Sequence, residues 1–330
     1  MRVPPQARTL PDGRRLHLQH GPIDLVVEAF GEPAAVAGAY GHAIGRFDGL
    51  LDELCDELAL LRSPAGRGAP EPGGPVARRM AAAVAPFAAR CFVTPMAAVA
   101  GAVADEILAV MLAEGHLERA YVNNGGDIAL HCAPGRSFVV GMIDRPERPS
   151  LFGRAEIDAD CGIGGIATSG WRGRSFSFGI ADSVTVLAST AAGADAAATV
   201  VANAVDLPGH PAVMRVPADS LQPDSDLGSR LVTRDVGRLS AGEIDDALAT
   251  GVACAEALLR HGLALGAALH LQGTTRVARP LIRRFGPPSP LAGEGGRCES
   301  NGRMRGMRIC KYDSRAGEIK FEPQEIHAHA

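Results

Sequence analysis

Three stretches of the chain carry residue types that hold and polarise small molecules. The first is Tyr121-Val122-Asn123-Asn124-Gly125-Gly126-Asp127-Ile128-Ala129-Leu130, two apolar segments split by Asn-Asn-Gly-Gly and followed at once by an acid. Asn and Gly tolerate positive φ, so the chain can turn sharply there and leave backbone N–H groups free. Such a turn can cradle a phosphate or a ring oxygen, while Asp127 can accept from a hydroxyl, an amine or a metal-bound water. A β-hairpin turn with a solvated acid is the plainer reading of the same residues. The second stretch, Gly162 to Gly170, ends in Ala167-Thr168-Ser169-Gly170, and the third is Ala194-Asp195-Ala196-Ala197-Ala198-Thr199. Three small-residue, polar-tipped stretches within one segment read as the walls of one site.

Other chemistries find less support. Thr168-Ser169-Gly170 is not a G-x-S-x-G elbow, and spacing nominates no Ser–His–Asp set. Cys161 before a glycine run could be a nucleophile or a packing residue. His17-x-x-His20 has weak metal-ligand spacing, which alternation along a strand explains equally. The ten histidines include no H-E-x-x-H, and no G-x-G-x-x-G opens a strand–helix unit. Asp195 also has a structural reading, since an acid in the first turn of a helix complements the dipole.

Elements that could position these stretches are legible along the chain. Leu16 to Ala29 reads as two short strands around Gly21-Pro22. One helix is expected from Pro33 to about Leu61, with an apolar stripe of Val36, Tyr40, Ile44, Phe47, Leu51, Leu54, Leu58 and Leu61. Gly41, Gly45 and Gly49 beside that stripe each cost roughly 1 kcal/mol against Ala, which suggests another backbone packed there. Arg62 to Pro75 is a loop, and a short Ala-rich helix follows to about Phe87. Thr94-Pro95 starts the next helix, with Val99, Val103, Ile107, Val110 and Met111 inward and Gly115 as its stop. That run carries Asp105 and Glu106 in its middle, which favours a core helix over a membrane span. Ser137–Ile143 and Ser183–Ala188 are strands, Ala191–Val205 is helical, and Asp195, Thr199 and Asn203 share one face of it. Ser240 to Glu243 is a capping box opening a helix to about His261.

Taken in order, Gly101-Ala102-Val103-Ala104-Asp105, Val122 to Ile128, Ala167-Thr168-Ser169-Gly170 and Ala194-Asp195-x-x-x-Thr199 resemble the ApbE-type flavin transferases, and most of all a cytoplasmic, uncharacterised branch of that superfamily. The resemblance covers about Thr94 to Asp206. It implies an α+β fold with FAD in a cleft and a magnesium ion beside the pyrophosphate. It also implies transfer of FMN to a Thr or Ser hydroxyl of an acceptor protein. Carried over, Asp195 and Thr199 become magnesium ligands. Asp105, Asn123, Asn124, Gly125, Gly126 and Asp127 would contact the nucleotide, with Thr168, Ser169 and Gly170 near phosphate or ring. The transferases' His-x-x-Asp-Pro-x-Thr-Gly segment is replaced here by Ser175 to Val184, in which Asp182 is the one acid and hence the candidate catalytic residue. Loss of the His and the Thr-Gly predicts slow or absent FMN transfer, even with FAD bound.

Composition sets the outer bounds. At 330 residues, 46% apolar but only 4% aromatic, with 40 glycines, this is an Ala/Gly/Val-rich globular chain with ample core. A net charge of −4 gives no general attraction to nucleic acid or to anionic membranes. Seven cysteines without a C-x-x-C suggest neither a disulfide framework nor a zinc ribbon, and reduced thiols in a cytoplasm fit best. The expectation is an α+β, ApbE-like layered domain over 1–277, with a mixed or antiparallel sheet and flanking helices. Residues 278–330 are expected as a flexible insertion, Phe285 to Gly306, and a tail whose Arg308–Tyr312 and Ile319–Phe321 could form edge strands. The expected partner is a nucleotide or other small-molecule ligand with Mg2+; an acceptor protein and a homo-oligomer stay open. The alternative is a non-flavin enzyme or a non-catalytic binding protein on the same scaffold.

Overall fold

Alternating apolar residues build the first sheet strands. The computed structural model describes residues 4–113, 115–143 and 151–278. In it β1 (Gln6–Thr9), β2 (Leu16–His20) and β3 (Ile23–Gly31) form an antiparallel meander. Leu16, Leu18, Leu25 and Val27 are buried along one face. His17 and His20, three apart, fall on opposite faces. His17 Nδ1 accepts from Arg8 and its Nε2 meets Asp24 at 2.9 Å, while His20 is buried edge-on against Phe47.

The helix expected from Pro33 to Leu61 is instead three: α1 (Pro33–Phe47), α2 (Leu50–Asp56) and α3 (Leu58–Leu61). Gly49 breaks it with φ +78°, a left-handed conformation that stops one helix and redirects the next. The buried line also differs. Ala39, Ala43 and Phe47 face the core while Ile44 is 42% exposed, because alanines let the helix lie closer to its support than the larger residues beside them. No backbone packs on Gly41, Gly45 or Gly49, where an added Cβ would meet nothing within 4 Å.

Next come α4 (Pro75–Val84), a 3-10 turn over Pro95–Ala98 and α5 (Val99–Leu112). Pro95 takes the first helical position behind Thr94 as expected, but the Thr94 hydroxyl donates to Asp226 and does not cap. The run Pro95–Leu112 is long and apolar enough to cross a membrane by length and composition. Here Val103, Ile107 and Met111 are wholly buried in the protein core, and Glu106 bonds Arg46 and Arg79.

β4 (Leu117–Asn124) and β5 (Asp127–Cys132) form the central hairpin, followed by β6 (Ser137–Ile143) and β7 (Leu151–Asp158) as a separate pair. The chain continues through β8 (Gly165–Ser169), β9 (Ser183–Ala188) and α6 (Ala191–Ala204). β10 (Val213–Pro217), α7 (Ala218–Leu221) and β11 (Leu231–Val236) make a small ribbon. Last are α8 (Ala241–Arg260), opened by the expected Ser240–Glu243 capping box, then β12 (Gly266–Leu271) and β13 (Thr274–Ala278).

Nine strands join in the order β1-β2-β3-β4-β5-β8-β9-β12-β13, and every neighbouring pair is antiparallel. The architecture is therefore α+β and layered. Val122, Ala129, Ala167, Val184 and Val186 enter the main core with α5, α6 and α8. Leu130 and Ile166, one residue out of phase, face the other side, where Ile157 and Phe138 of the β6–β7 hairpin cover them. The boundary expected near Val277 falls within β13. The expected insertion and edge strands beyond it lie outside the described residues.

Candidate active site

The site forms where the β4–β5 turn meets the first turns of α5 and α6. Gly125 and Gly126 close the turn with φ +66° and +114°, a two-residue hairpin connection that few other residues could make. Asn123 locks it by accepting the Gly126 N–H at 2.8 Å, and Asn124 Nδ2 donates to the Ala100 carbonyl at 3.1 Å. The turn is thus fastened to the start of α5. Because Asn124 and Asp127 pair across the hairpin, both side chains point to the helix-covered face of the sheet.

α5 and α6 cap one another. The Asp105 carboxylate on α5 accepts from the Ala191 and Ala192 N–H groups, each at 2.9 Å, at the start of α6. The Asp195 carboxylate on α6 accepts from the Gly101 N–H at 3.0 Å, at the start of α5. Each acid satisfies donors that a helix N-terminus leaves open and sits at the positive end of a dipole. The crossing is backbone on backbone. A Cβ at Gly101 would stand 2.2 Å from the Ala191 carbonyl oxygen, and one at Gly165 would stand 2.2 Å from the Ala191 nitrogen.

This interlock brings Asp195 and Asp127, 68 positions apart in sequence, within electrostatic reach. Burial, then the Asp127 charge, holds the Asp195 carboxyl well above the ordinary range. Burial pushes Asp127 up to about 7, opposed by the Thr168 N–H and by the Arg174 charge. Asp105 is also raised by burial, although its two N–H donors oppose it. Asp127 and Asp195 are both half-buried. Two close carboxylates that resist ionising together suit a divalent cation, whose charge would let both ionise. Among the described residues no set of three or more His, Cys, Asp and Glu converges. The pair would therefore share such an ion with hydroxyls, carbonyls or water, the mixed shell that Mg2+ accepts.

The other expected residues divide. Thr168 reaches Asp127 through its backbone N–H at 3.2 Å, while its hydroxyl meets that of Thr185 at 2.9 Å. Ser169 is half-buried in β8 opposite Val184. Gly170 packs under the Ala181–Asp182 carbonyls, where a Cβ would come within 2.5 Å. Thr199 lies one turn beyond Asp195 on the same face of α6, half-buried, with Asn203 a turn further holding the Ser177–Phe178 backbone and hydroxyl. Asp182 stands apart from the acid pair. It is buried and accepts from Arg172 Nε at 2.7 Å, Trp171 Nε1 at 3.2 Å and the Gln272 N–H at 2.6 Å. Cys161 is exposed at the end of the 3-10 turn after β7.

Two contributors were invisible in the chain. The N–H of Gly101 signals nothing locally, since only the crossing of α5 and α6 makes it an acceptor's partner. Arg174, in a loop, lies against the Gly125 turn. A Cβ added to Gly125 would stand 2.9 Å from Arg174 Nη1.

A family model described as "AbpE bacteria" matches residues 7–277. A UPF0280 protein of Methanopyrus kandleri is 43% identical over 136 residues, 41% of this chain and 50% of the relative. A UPF0280 protein of Methanothrix thermoacetophila is 41% identical over 132 residues, 40% of this chain and 52% of the relative. The matches thus span about half the length of these curated relatives, whose names state no activity. Among solved structures, the apo form of the Pseudomonas stutzeri flavinyl transferase ApbE aligns with 84% of this chain and 96% of its own. The TM-score is 0.44 and the identity 14%.

Proposed function

The chain belongs to the ApbE-like family described as "AbpE bacteria", and from that membership we propose that its cleft binds a flavin or other nucleotide together with Mg2+. The observation that carries this is that Asp127 and Asp195, buried enough to feel each other's charge, sit beside the Gly125-Gly126 turn. Hard carboxylate oxygens suit Mg2+, and a side-chain-free turn lets a phosphate approach the backbone. The ion would supply charge compensation to the pyrophosphate; Asp127 and Asp195 would hold it, with Thr199 as a further oxygen on the face of Asp195. Asp105 supports the site through α6, because both its hydrogen bonds go to that helix's first N–H groups.

The same reading makes this a binder first and a transferase poorly or not at all. Transfer of FMN needs a base to take the acceptor hydroxyl's proton as it attacks phosphorus. Asp182, the acid in the replaced segment, has both oxygens engaged by Arg172, Trp171 and Gln272. Its role on this reading is to hold the 171–172 loop to the β12–β13 turn. This favours the alternative of a non-catalytic or differently reacting protein on a shared scaffold.

The test is thermal unfolding with FAD or ADP, with and without Mg2+. Ligand at about a hundred times its Kd adds about 2.7 kcal/mol, a rise of several degrees for a domain of this size. Asp127→Asn and Asp195→Asn keep an acceptor for the Thr168 and Gly101 N–H groups and should stay folded while losing the Mg2+ response. An unchanged response in both variants would return these acids to purely structural roles.

A further inference from the structure

Building on the nucleotide reading of this cleft, we propose that Arg174 grips a phosphate group of the ligand and thereby selects phosphate-bearing over phosphate-free ligands. Its guanidinium lies against the Gly125 turn, where a Cβ would come within 2.9 Å of Nη1. Its charge also reaches Asp127 from that side. The neighbouring Arg172 is committed, bonded to Asp182 and stacked 4.3 Å over the Trp171 ring. Arg174 is exposed, and among the described residues no hydrogen bond or ion pair engages its five N–H donors. An arginine placed to neutralise the acid pair would be bonded to it. This one instead stands exposed against the bare glycine turn, with its charge felt at Asp127.

That placement sets one cationic fork at the glycine turn, within electrostatic reach of Asp127. A phosphate bound there would present its oxygens to the guanidinium, while Asp127 and Asp195 are the residues that would hold the ion and supply charge compensation to the same group. The planar fork matches two oxygens of one phosphate, which a lysine ammonium cannot do. A ligand lacking phosphate would leave Arg174 in water at no loss. Gly125 belongs to the same device, since any side chain there would occupy the space beneath the guanidinium.

The experiment compares dissociation constants of FAD, ADP and riboflavin for wild type, Arg174→Gln and Arg174→Lys, all with Mg2+. Losing a charge-assisted contact should weaken FAD and ADP by roughly ten- to a hundredfold in Arg174→Gln. Arg174→Lys should recover part of that loss, and riboflavin affinity should not move. Circular dichroism and an unchanged melting temperature without ligand would show that the exposed substitution leaves the fold intact. Equal affinities for FAD in wild type and Arg174→Gln, or a parallel loss for riboflavin, would overturn the assignment while leaving the nucleotide reading in place. Wild type that binds neither FAD nor ADP would overturn both, and that failure shows before any variant is made.

Discussion

Asp105, Asp127 and Asp195 are chemically alike and do different work because of what surrounds each. Asp105 is fully occupied as the N-terminal cap of α6. Removing it as Asp105→Ala should cost about 1.5–3 kcal/mol, the scale of hydrogen bonds to a charged group, read as a lower urea midpoint. Asp105→Asn, which keeps one acceptor oxygen, should cost less. Burial raises the proton affinity of all three acids, and that of Asp127 from 3.8 to about 7. Between those values the folded state holds a proton that the unfolded state has lost, so stability should fall as pH rises from about 4 to about 7. A urea-midpoint series against pH should show that decline, and Asp127→Asn should make it shallower, with Asp105 and Asp195 supplying the rest. A wild-type midpoint that climbs steadily over this window, with no difference in the variant, would contradict the shift. On the proposed Mg2+ site, saturating Mg2+ should make the same slope shallower, because the ion would take the place of the proton.

At the scale of elements, the α5–α6 crossing is the hinge of the architecture. Its closeness depends on missing side chains: Gly101 lies over the Ala191 carbonyl, and Gly165 lies under the Thr190–Ala191 peptide. Neither neighbour is a flexible side chain that could swing away. Gly101→Ala should therefore destabilise by about 2 kcal/mol or more, the upper range of overpacking, although alanine has the better helix propensity. The same variant should weaken any Mg2+ response, since parting the helices pulls Asp195 from Asp127. Gly41→Ala on α1, where the added methyl meets open space, should by contrast stabilise by up to about 1 kcal/mol. The pair of variants tests whether contact or propensity governs each glycine.

At the scale of the whole molecule, one nine-stranded antiparallel sheet carries helices on one face and the β6–β7 hairpin on the other. Glu106 ties that helical layer together. Burial pushes its carboxyl up, but the hydrogen bonds and charges of Arg46 and Arg79 outweigh this and hold it below 4.5. Its contribution is present above about pH 4.5 and is lost as pH falls through the lower folded value. Glu106→Gln should therefore reduce stability at pH 7 and show a shallower acid loss than wild type in the same urea series. Function at this scale is tested by incubating the protein with FAD, Mg2+ and a flavinylation acceptor peptide. Bound yellow flavin with little or no covalent flavin on the peptide in a denaturing gel is the expected result. Fluorescent peptide formed at the rate of a true transferase would refute it, and Asp182 would then be the residue to replace first.

Much of this was legible in the chain because it rests on local chemistry. Alternation announced β2 and β9, and the apolar run from Phe138 to Ile143 announced β6. Pro95 and Ser240 marked helix starts through the groups that such starts leave unbonded, and Asn-Asn-Gly-Gly announced a turn because only such residues reach its backbone angles. The ordered motifs likewise pointed to the family. The extent of α1 was misread because a single left-handed residue, Gly49, ends a helix without disturbing the apolar period. Which glycines meet a backbone could not be read at all, since Gly101 and Gly41 differ only in what lies opposite them. The same is true of the acids. Sequence supplied Asp105, Asp127, Asp182 and Asp195 as candidates, but charge coupling and hydrogen-bond partners arise between residues distant along the chain. Only the crossing of α5 and α6 over the β4–β5 turn decided that Asp127 and Asp195 feel each other's charge, that Asp105 caps and that Asp182 is enclosed.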